Sequence, residues 1–190
     1  MTNDSKIAWA ITFLAAAGAW YLMRRSESNP PSLINNSNWD MLGDTSLSRG
    51  YRNNNPLNIR KSWQTWKGKI YVGNTDPDFE QFENMAYGYR AALITMRTYI
   101  KKYGLNTVYQ IINRWAPADD GNNPDGYTQR VCKATGLTPD MVVGYNDADT
   151  LTKMAYGMSI VENDSNKYKA ANHAVGLPNM EIINEGWRLI

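Results

Sequence analysis

One uncharged segment constrains this 190-residue chain more than any other feature. Residues 7–23 read IAWAITFLAAAGAWYLM, with a lysine before them and Arg24–Arg25 after them. At about 1.5 Å per residue, a helix of this length just crosses a hydrocarbon core of roughly 30 Å. Trp9 and Trp20 stand near its two ends, where aromatic rings favour the headgroup level. The sequence therefore predicts one transmembrane helix, with a lipid membrane as the partner of residues 7–23.

A cleaved signal peptide is the alternative interpretation of this segment. Such a peptide has a basic start and small residues at its cleavage site. Here the apolar run ends in the bulky residues Trp20–Met23, and two arginines follow. This pattern favours a retained anchor, although the flanking charges leave its orientation open.

The remaining sequence divides into a linker and one domain. Residues 26–48 contain Pro30–Pro31 and the polar run Asn35–Asn38, which is typical of a linker. Residues 49–190 are long enough to bury a core. The predicted organisation is thus an anchor at 1–25, a linker at 26–48 and a domain at 49–190.

The domain pattern changes from β-prone to helical along the chain. Between Ile59 and Phe82, aromatic and β-branched residues alternate with glycines and turn clusters, which predicts a small β lobe. Four or five helices are predicted after it from apolar periodicity and from start and stop residues. These signals are Gly104 after the 89–103 helix, a cap at Asn106, starts at Asn123–Pro124 and Thr138–Pro139, a stop at Gly136, and a helix over 148–162.

Composition excludes several classes of protein. A formal net charge of +2 argues against nucleic acid as a partner. The single cysteine, Cys132, forms no internal disulfide, and a single histidine, His173, leaves little scope for a His-based triad. The acidic cluster at Asp119–Asn123 lacks the glutamate of a helix-loop-helix calcium site. The sequence therefore predicts no metal and no cofactor.

Glu162 is the predicted catalytic acid. It continues the apolar stripe of Leu151, Ala155 and Met158 at helical spacing, and it stands at the predicted helix end. Burial and the negative end of the helix dipole both raise a carboxyl pKa, as a general acid requires near neutral pH. The alternative is a solvated glutamate at a frayed helix end.

An amide-rich and aromatic segment is the predicted binding surface. Amides, guanidinium groups and flat aromatic faces suit a carbohydrate that carries N-acetyl groups. Asparagines also serve turns and tryptophans also fill cores, so a structural role is the alternative. The predicted binding residues here are Arg52, Asn53, Asn55, Asn58, Arg60, Trp63 and Trp66.

Nearby carboxylates could supply a second catalytic group. Asp76, Asp78, Glu80 and Glu83 follow the binding segment in sequence. Glu80 is predicted as the partner of Glu162, with Asp78 as its alternative; a mechanism without a second carboxylate also stays open.

Several short sequence strings of the domain together resemble a family of phage virion proteins described as structural or lysozyme-like. The matching strings are RGYRNNNPLNIR at 49–60, Phe79 with Phe82, GYRA at 88–91, YGLNT at 103–107, RWAP at 114–117 and Glu162–Asn163, so the resemblance covers about residues 49–165. Trp115 and Asn163 lie in these strings and complete the predicted binding set. The chain departs from the family pattern at Leu57, where glycine is usual, and at Val161, where histidine is usual.

The segment NNPLNIR with Trp66-Lys67-Gly68 is also similar, more loosely, to bacterial glucosaminidases of lysozyme-like fold. In those enzymes the catalytic glutamate ends a helix before the β region. Here the helix that ends at Glu162 follows it, as in a circular permutation. The resemblance thus implies a mainly α, lysozyme-like α+β domain with a small β lobe, and the apolar run at 7–23 predicts one transmembrane helix before it.

The functional expectation is a membrane-anchored phage enzyme that cleaves peptidoglycan glycan strands during virion entry. Its expected partners are peptidoglycan, the membrane and other virion proteins, and its expected location is the virion membrane. Two alternatives stay open. One is a non-catalytic structural protein of a membrane-containing virion, and the other is a lysis enzyme anchored in the host inner membrane.

Overall fold

Helices account for most of the regular structure in residues 39–163 and 165–190, which are the residues that this computed structural model describes. The predicted anchor and most of the predicted linker lie outside these residues. In chain order the helices are α1 (Arg49–Arg52), α2 (Met85–Tyr103), α3 (Val108–Trp115), α4 (Pro124–Thr135), α5 (Ala148–Asn163), α6 (Lys169–Ala174) and α7 (Met180–Arg188), with a 3₁₀ turn at Ala118–Asp120.

Most of the predicted helix boundaries are confirmed. Gly104 and Gly136 end α2 and α4 with positive φ angles of 66° and 75°, a conformation that glycine adopts without steric cost. Asn123 caps α4 through the backbone N–H of Gly126, and Pro124 is its first residue. Helix α5 covers the whole predicted 148–162 segment.

Two predicted helix starts differ from the structure. Thr107 caps α3 instead of Asn106, because its side chain accepts from the backbone of Gln110 and completes a capping box. Thr138–Pro139 forms a turn and starts no helix. The backbone carbonyls of Pro139 and Met141 instead accept from the first N–H groups of α3, so this segment serves as part of the cap of another helix.

The core forms where α2 packs against α5 and α7, and α4 also packs against α5. Gly186 lets α7 approach closely, because a Cβ there would lie 2.9 Å from the backbone oxygen of Ala86 on α2. The stripe predicted on α5 is buried as expected. The core side chains that are fully buried include Tyr89, Leu93, Met96, Ile111, Leu151, Met154, Ala155, Met158 and Ile183.

The predicted lysozyme-like α+β domain is wrong. Within the described residues, the 57–82 segment forms no strand and contains only two isolated antiparallel bridges, Arg60 with Phe79 and Lys69 with Phe82. The fold class is therefore helical, with an irregular segment where the β lobe was expected.

Side-chain hydrogen bonds explain why no β ladder forms. Asn55 donates to the backbone oxygens of Ile59 and Glu80, both at 2.9 Å, and its own oxygen accepts from the N–H of Ile59. Gln81 accepts from the N–H of Thr75 in the same way. Because these amides occupy backbone groups that a ladder would pair, the segment folds as bridged turns.

The transmembrane helix in the predicted fold class also finds no support. No helix of the described part of the chain is long and apolar enough to cross a membrane. The predicted span at 7–23 lies outside the described residues. For the described residues, the corrected fold class is a mainly helical domain.

Residues 39–48, which were predicted as linker, pack against the helical domain. Residues Trp39–Ile190 form one compact unit. Leu47 is fully buried, and Ser48 donates from its hydroxyl to the side-chain oxygen of Asn163 at 2.7 Å. The described end of the predicted linker thus contributes to the core, while the limits of the anchor and linker stay predictions.

Candidate functional site

Glu162 lies at the end of α5, where three side chains donate hydrogen bonds to its carboxylate. Asn58 donates from Nδ2 to Oε2 at 2.9 Å, and Tyr127 donates from its hydroxyl to Oε1 at 2.9 Å. The indole of Trp115 is the third donor. These residues come from the 53–60 segment, α4 and α3, so four separate parts of the chain meet at one carboxyl group.

Burial raises the pKa of this carboxyl group. Loss of hydration raises the pKa of Glu162 above the usual glutamate value, although the hydrogen bonds from Asn58, Tyr127 and Trp115 offset part of the effect. The side chain keeps partial solvent exposure. Glu162 is therefore a half-buried carboxyl group of raised pKa, at the position that the stripe on α5 predicts.

A groove of about 340 Å³ adjoins Glu162. Asn58 and Trp115, which both contact the carboxylate, line this groove. Its volume falls at the lower end of the range for small-ligand sites. Its lining residues are Asn58, Ile59, Arg60, Thr95, Tyr99, Arg114, Trp115, Pro117 and Asp120.

Asn163 holds the end of α5 against the 53–60 segment. Its Nδ2 donates to the backbone oxygens of Pro56 and Ser159 at 2.7 and 2.9 Å, and the side chain is buried. Gly50 of α1 packs directly on the Asn163 side-chain oxygen, in contact too close for any Cβ. These contacts fix the position of Glu162, which is adjacent to Asn163 in sequence.

Asn58 reaches Glu162 from a left-handed backbone conformation with a φ angle of 53°. Asparagine tolerates this region better than most residues. Asn53 and Asn55, in contrast, turn inward. Asn53 donates to Asp76 at 2.7 Å, and Asn55 binds backbone oxygens, so both buried amides support the fold of the segment.

The structure thus separates the predicted binding residues. Asn58, Arg60 and Trp115 line the groove. Arg52 and Asn53 line a second hollow of about 410 Å³, next to Arg49 and Asp76.

The two predicted tryptophans of the irregular segment lie elsewhere. Trp66 packs against the small apolar cluster of Phe82, Tyr87 and Ala91. Trp63 is 88% exposed and does not line the groove. A glycan-binding role for either tryptophan stays a prediction.

Glu80, the predicted second carboxylate, is buried in an ion pair. Its Oε1 lies 2.8 Å from Lys69 Nζ and accepts from the backbone of Ser62 at 2.9 Å. Asp78, the alternative, pairs with Arg49 at 2.7 Å. Neither residue lines the groove beside Glu162, and both hold the irregular segment together.

Asp76 is the electrostatic centre of that segment. It accepts from Arg49 and Asn53 at 2.7 Å, and from the backbone N–H groups of Asp78 and Phe79 at 2.9 Å. Burial acts to raise its pKa, but these hydrogen bonds together hold the pKa of Asp76 well below its usual range.

Replacing Asp76 with asparagine is expected to lower the free energy of unfolding by about 2 kcal/mol at pH 7, because Arg49 loses one of its two carboxylate partners but is partly exposed to water. A depressed folded pKa stabilises the protein above the unfolded value of about 3.8, and this contribution is lost as the pH falls. Urea unfolding at pH 7 and pH 3 measures it. Wild type should lose more stability than Asp76→Asn over this range, and equal losses would contradict the assignment.

Several residues of the site could not be recognised from the sequence. Tyr127 has the spacing of a core residue on α4, and only its contact with Glu162 gives it a polar role. Arg114 belongs to the RWAP string at 114–117, but no local sequence signal indicates that it lines the groove with Tyr99.

A curated phage protein is similar in sequence to this chain. No protein-family model matches it. Over 124 residues it is 38% identical to "Protein P5" of Pseudoalteromonas phage PM2, an alignment that covers 64% of this chain and 74% of that protein. The expected phage relationship is confirmed, whereas its lysozyme-like part is not. The chain therefore belongs to the family of Protein P5 of Pseudoalteromonas phage PM2.

Proposed function

We propose that this phage protein is a virion component that cleaves peptidoglycan glycan strands, with Glu162 as the catalytic acid. The observation that carries the proposal is a half-buried carboxyl group of raised pKa, held by three donors beside a groove. A carboxyl group in this state is suited to protonate a glycosidic oxygen as the bond breaks. The proposal rests on this site and needs no lysozyme-like fold.

The groove supports a sugar ligand. Tyr99 and Trp115 offer aromatic faces, and their ring centroids lie 6.4 Å apart. Thr95 and Asn58 add polar groups that can bind hydroxyl and N-acetyl substituents. Apolar faces combined with a few polar groups are typical of small-ligand sites.

The surroundings of Glu162 favour a mechanism with a single carboxyl group. Among the described residues that line the groove, Asp120 is the only carboxylate, and Glu80 is bound to Lys69. In a lytic transglycosylase one carboxyl group first protonates the leaving oxygen. The resulting carboxylate then takes the proton of the sugar's own 6-hydroxyl as that oxygen closes an anhydro ring. We propose this reaction over hydrolysis.

The test is incubation of the full-length protein with purified peptidoglycan, followed by mass spectrometry of the released fragments. Anhydro-sugar ends, lighter by one water than hydrolysis products, are expected. Reducing ends would indicate a hydrolase with a water nucleophile. No release of fragments would overturn the enzymatic proposal and leave a non-catalytic virion component, which membership of a phage family also supports.

Replacing Tyr127 with phenylalanine is expected to move the pH profile of cleavage. The Tyr127 hydroxyl stabilises the charged form of Glu162, so its loss raises the pKa of the acid further. Activity falls as pH rises through that pKa, because the proton is lost. The basic limb of kcat/KM should therefore move up by about 1 pH unit.

The control for this variant is Tyr71→Phe, since Tyr71 is 57% exposed and lies outside the groove lining. Its profile should match that of wild type. A basic limb that stays in place in Tyr127→Phe would mean that the hydroxyl does not stabilise the Glu162 carboxylate.

A further inference from the structure

Two arginines line the groove beside Glu162 without a carboxylate partner in the described part of the chain. Arg60 ends the 58–60 stretch of the lining, and Arg114 lies in the last turn of α3. Both side chains are exposed. Arg90, in contrast, donates to the backbone oxygen of Leu189 at 2.9 Å.

Aromatic rings restrict both guanidinium groups. Arg60 Cζ lies 5.7 Å from the ring centroid of Phe79, and Arg114 Cζ lies 5.9 and 5.3 Å from those of Tyr99 and Tyr103. Cation–π contacts of this kind restrain the side chain and leave the N–H edge available to a ligand.

Arg49 shows the contrasting arrangement. It lies 4.4 Å over the same Phe79 ring, but Asp76 and Asp78 occupy its N–H groups at 2.7 Å. Arg49 is therefore a structural arginine, whereas the N–H edges of Arg60 and Arg114 are not used by described carboxylates.

The charges of the groove favour an anionic ligand. The groove lining contains two guanidinium groups and one carboxylate, Asp120. Asp120 forms an ion pair with neither arginine in the described structure. The groove lining therefore carries more guanidinium than carboxylate groups, an excess of positive charge that a ligand carboxylate would neutralise.

We propose that Arg60 and Arg114 form an anion subsite that selects the acidic sugar of the glycan strand. In peptidoglycan every second sugar carries a lactyl ether. Its carboxyl group is anionic when free, and where it is amide-linked to a stem peptide the carboxylates of that peptide carry the negative charge. A guanidinium group binds such a carboxylate through two parallel N–H bonds. This inference rests on the proposed glycan-cleaving function and adds discrimination against neutral N-acetylglucosamine polymers.

The experiment compares two tetrasaccharides by isothermal titration calorimetry on the full-length chain, in a Glu162→Gln background that prevents turnover. One alternates N-acetylglucosamine with N-acetylmuramic acid, and the other is the N-acetylglucosamine tetramer, which lacks only the lactyl groups. The acidic ligand should bind at least about tenfold tighter at low salt. Raising the ionic strength to about 0.5 M should narrow the difference, because salt screens exposed charges.

Arg60→Gln and Arg114→Gln should each weaken binding of the acidic ligand by about three- to tenfold and change binding of the neutral ligand less than about twofold. Arg188→Gln is the matched control. Arg188 is an exposed arginine on α7, outside the groove lining, and should leave both affinities unchanged.

Each outcome has one meaning. Equal affinity for the two ligands in the parent protein would overturn the anion subsite and leave glycan binding intact. Binding of neither ligand would overturn the proposed function together with the subsite. Equal weakening of both ligands by the arginine variants would show that the arginines act on the groove as a whole, which also overturns selection by charge.

Discussion

Replacing Glu162 with glutamine is expected to lower the rate of peptidoglycan cleavage by about 10²–10⁴-fold or more. Glutamine has nearly the same shape but has no proton to give to the glycosidic oxygen. The free energy of unfolding should change by no more than about 1 kcal/mol, because the amide oxygen still accepts one hydrogen bond and no charge is buried. Fragment release from purified peptidoglycan and urea unfolding measure the two effects separately.

Glu83→Gln is the matched control for this variant. Glu83 is an exposed glutamate that directly follows the irregular 57–82 segment, and it does not line the groove. It should retain wild-type cleavage. Full activity of a correctly folded Glu162→Gln protein would remove Glu162 from the mechanism.

Replacing Gly88 with alanine is expected to destabilise the protein by about 2–3 kcal/mol. A Cβ at Gly88 would overlap the backbone oxygen of Asn54 and lie 2.8 Å from Pro56 Cδ. Asn54 cannot shift easily, because its side chain donates to Asp40 and to the backbone oxygen of Phe82 at 2.8 and 3.0 Å. This strain exceeds the gain of about 1 kcal/mol in helix propensity.

Gly144→Ala provides the comparison for this variant. Its Cβ would meet only Asp147, at an ordinary contact distance of 3.7 Å, and the expected change is within about 0.5 kcal/mol. Urea unfolding followed by circular dichroism measures both variants. Equal stability of the two alanine variants would contradict the close packing of α2 on Asn54.

Local sequence signals predicted most of the helices and the position of the candidate acid. Helix caps are local signals. Gly104, Gly136 and Asn123–Pro124 start or end a helix through backbone contacts within about one turn, so their effect depends little on the rest of the chain. The stripe on α5 works in the same way, because 3.6-residue periodicity places Glu162 in line with Leu151 and Met158 whatever packs against them.

The same signals failed in the 57–82 segment. Alternating aromatic and β-branched residues predict strands only if backbone groups are free to pair. Asn55 and Gln81 use some of those groups, and they do so through contacts within a folded arrangement that includes buried Asn53. Sequence composition alone did not distinguish such structural amides from glycan-binding ones.

The sequence by itself determined the end of α2, both ends of α4 and the extent of α5, and that a carboxyl group ends the buried face of α5. Only the tertiary structure decided what surrounds it. Asn58 donates to Glu162 across 104 positions of the chain, and Tyr127 does so across 35. Periodicity and capping extend over a few residues, whereas the pKa of Glu162 depends on burial and on donors from distant elements. The site therefore exists only once α3, α4 and α5 pack together with the 53–60 segment.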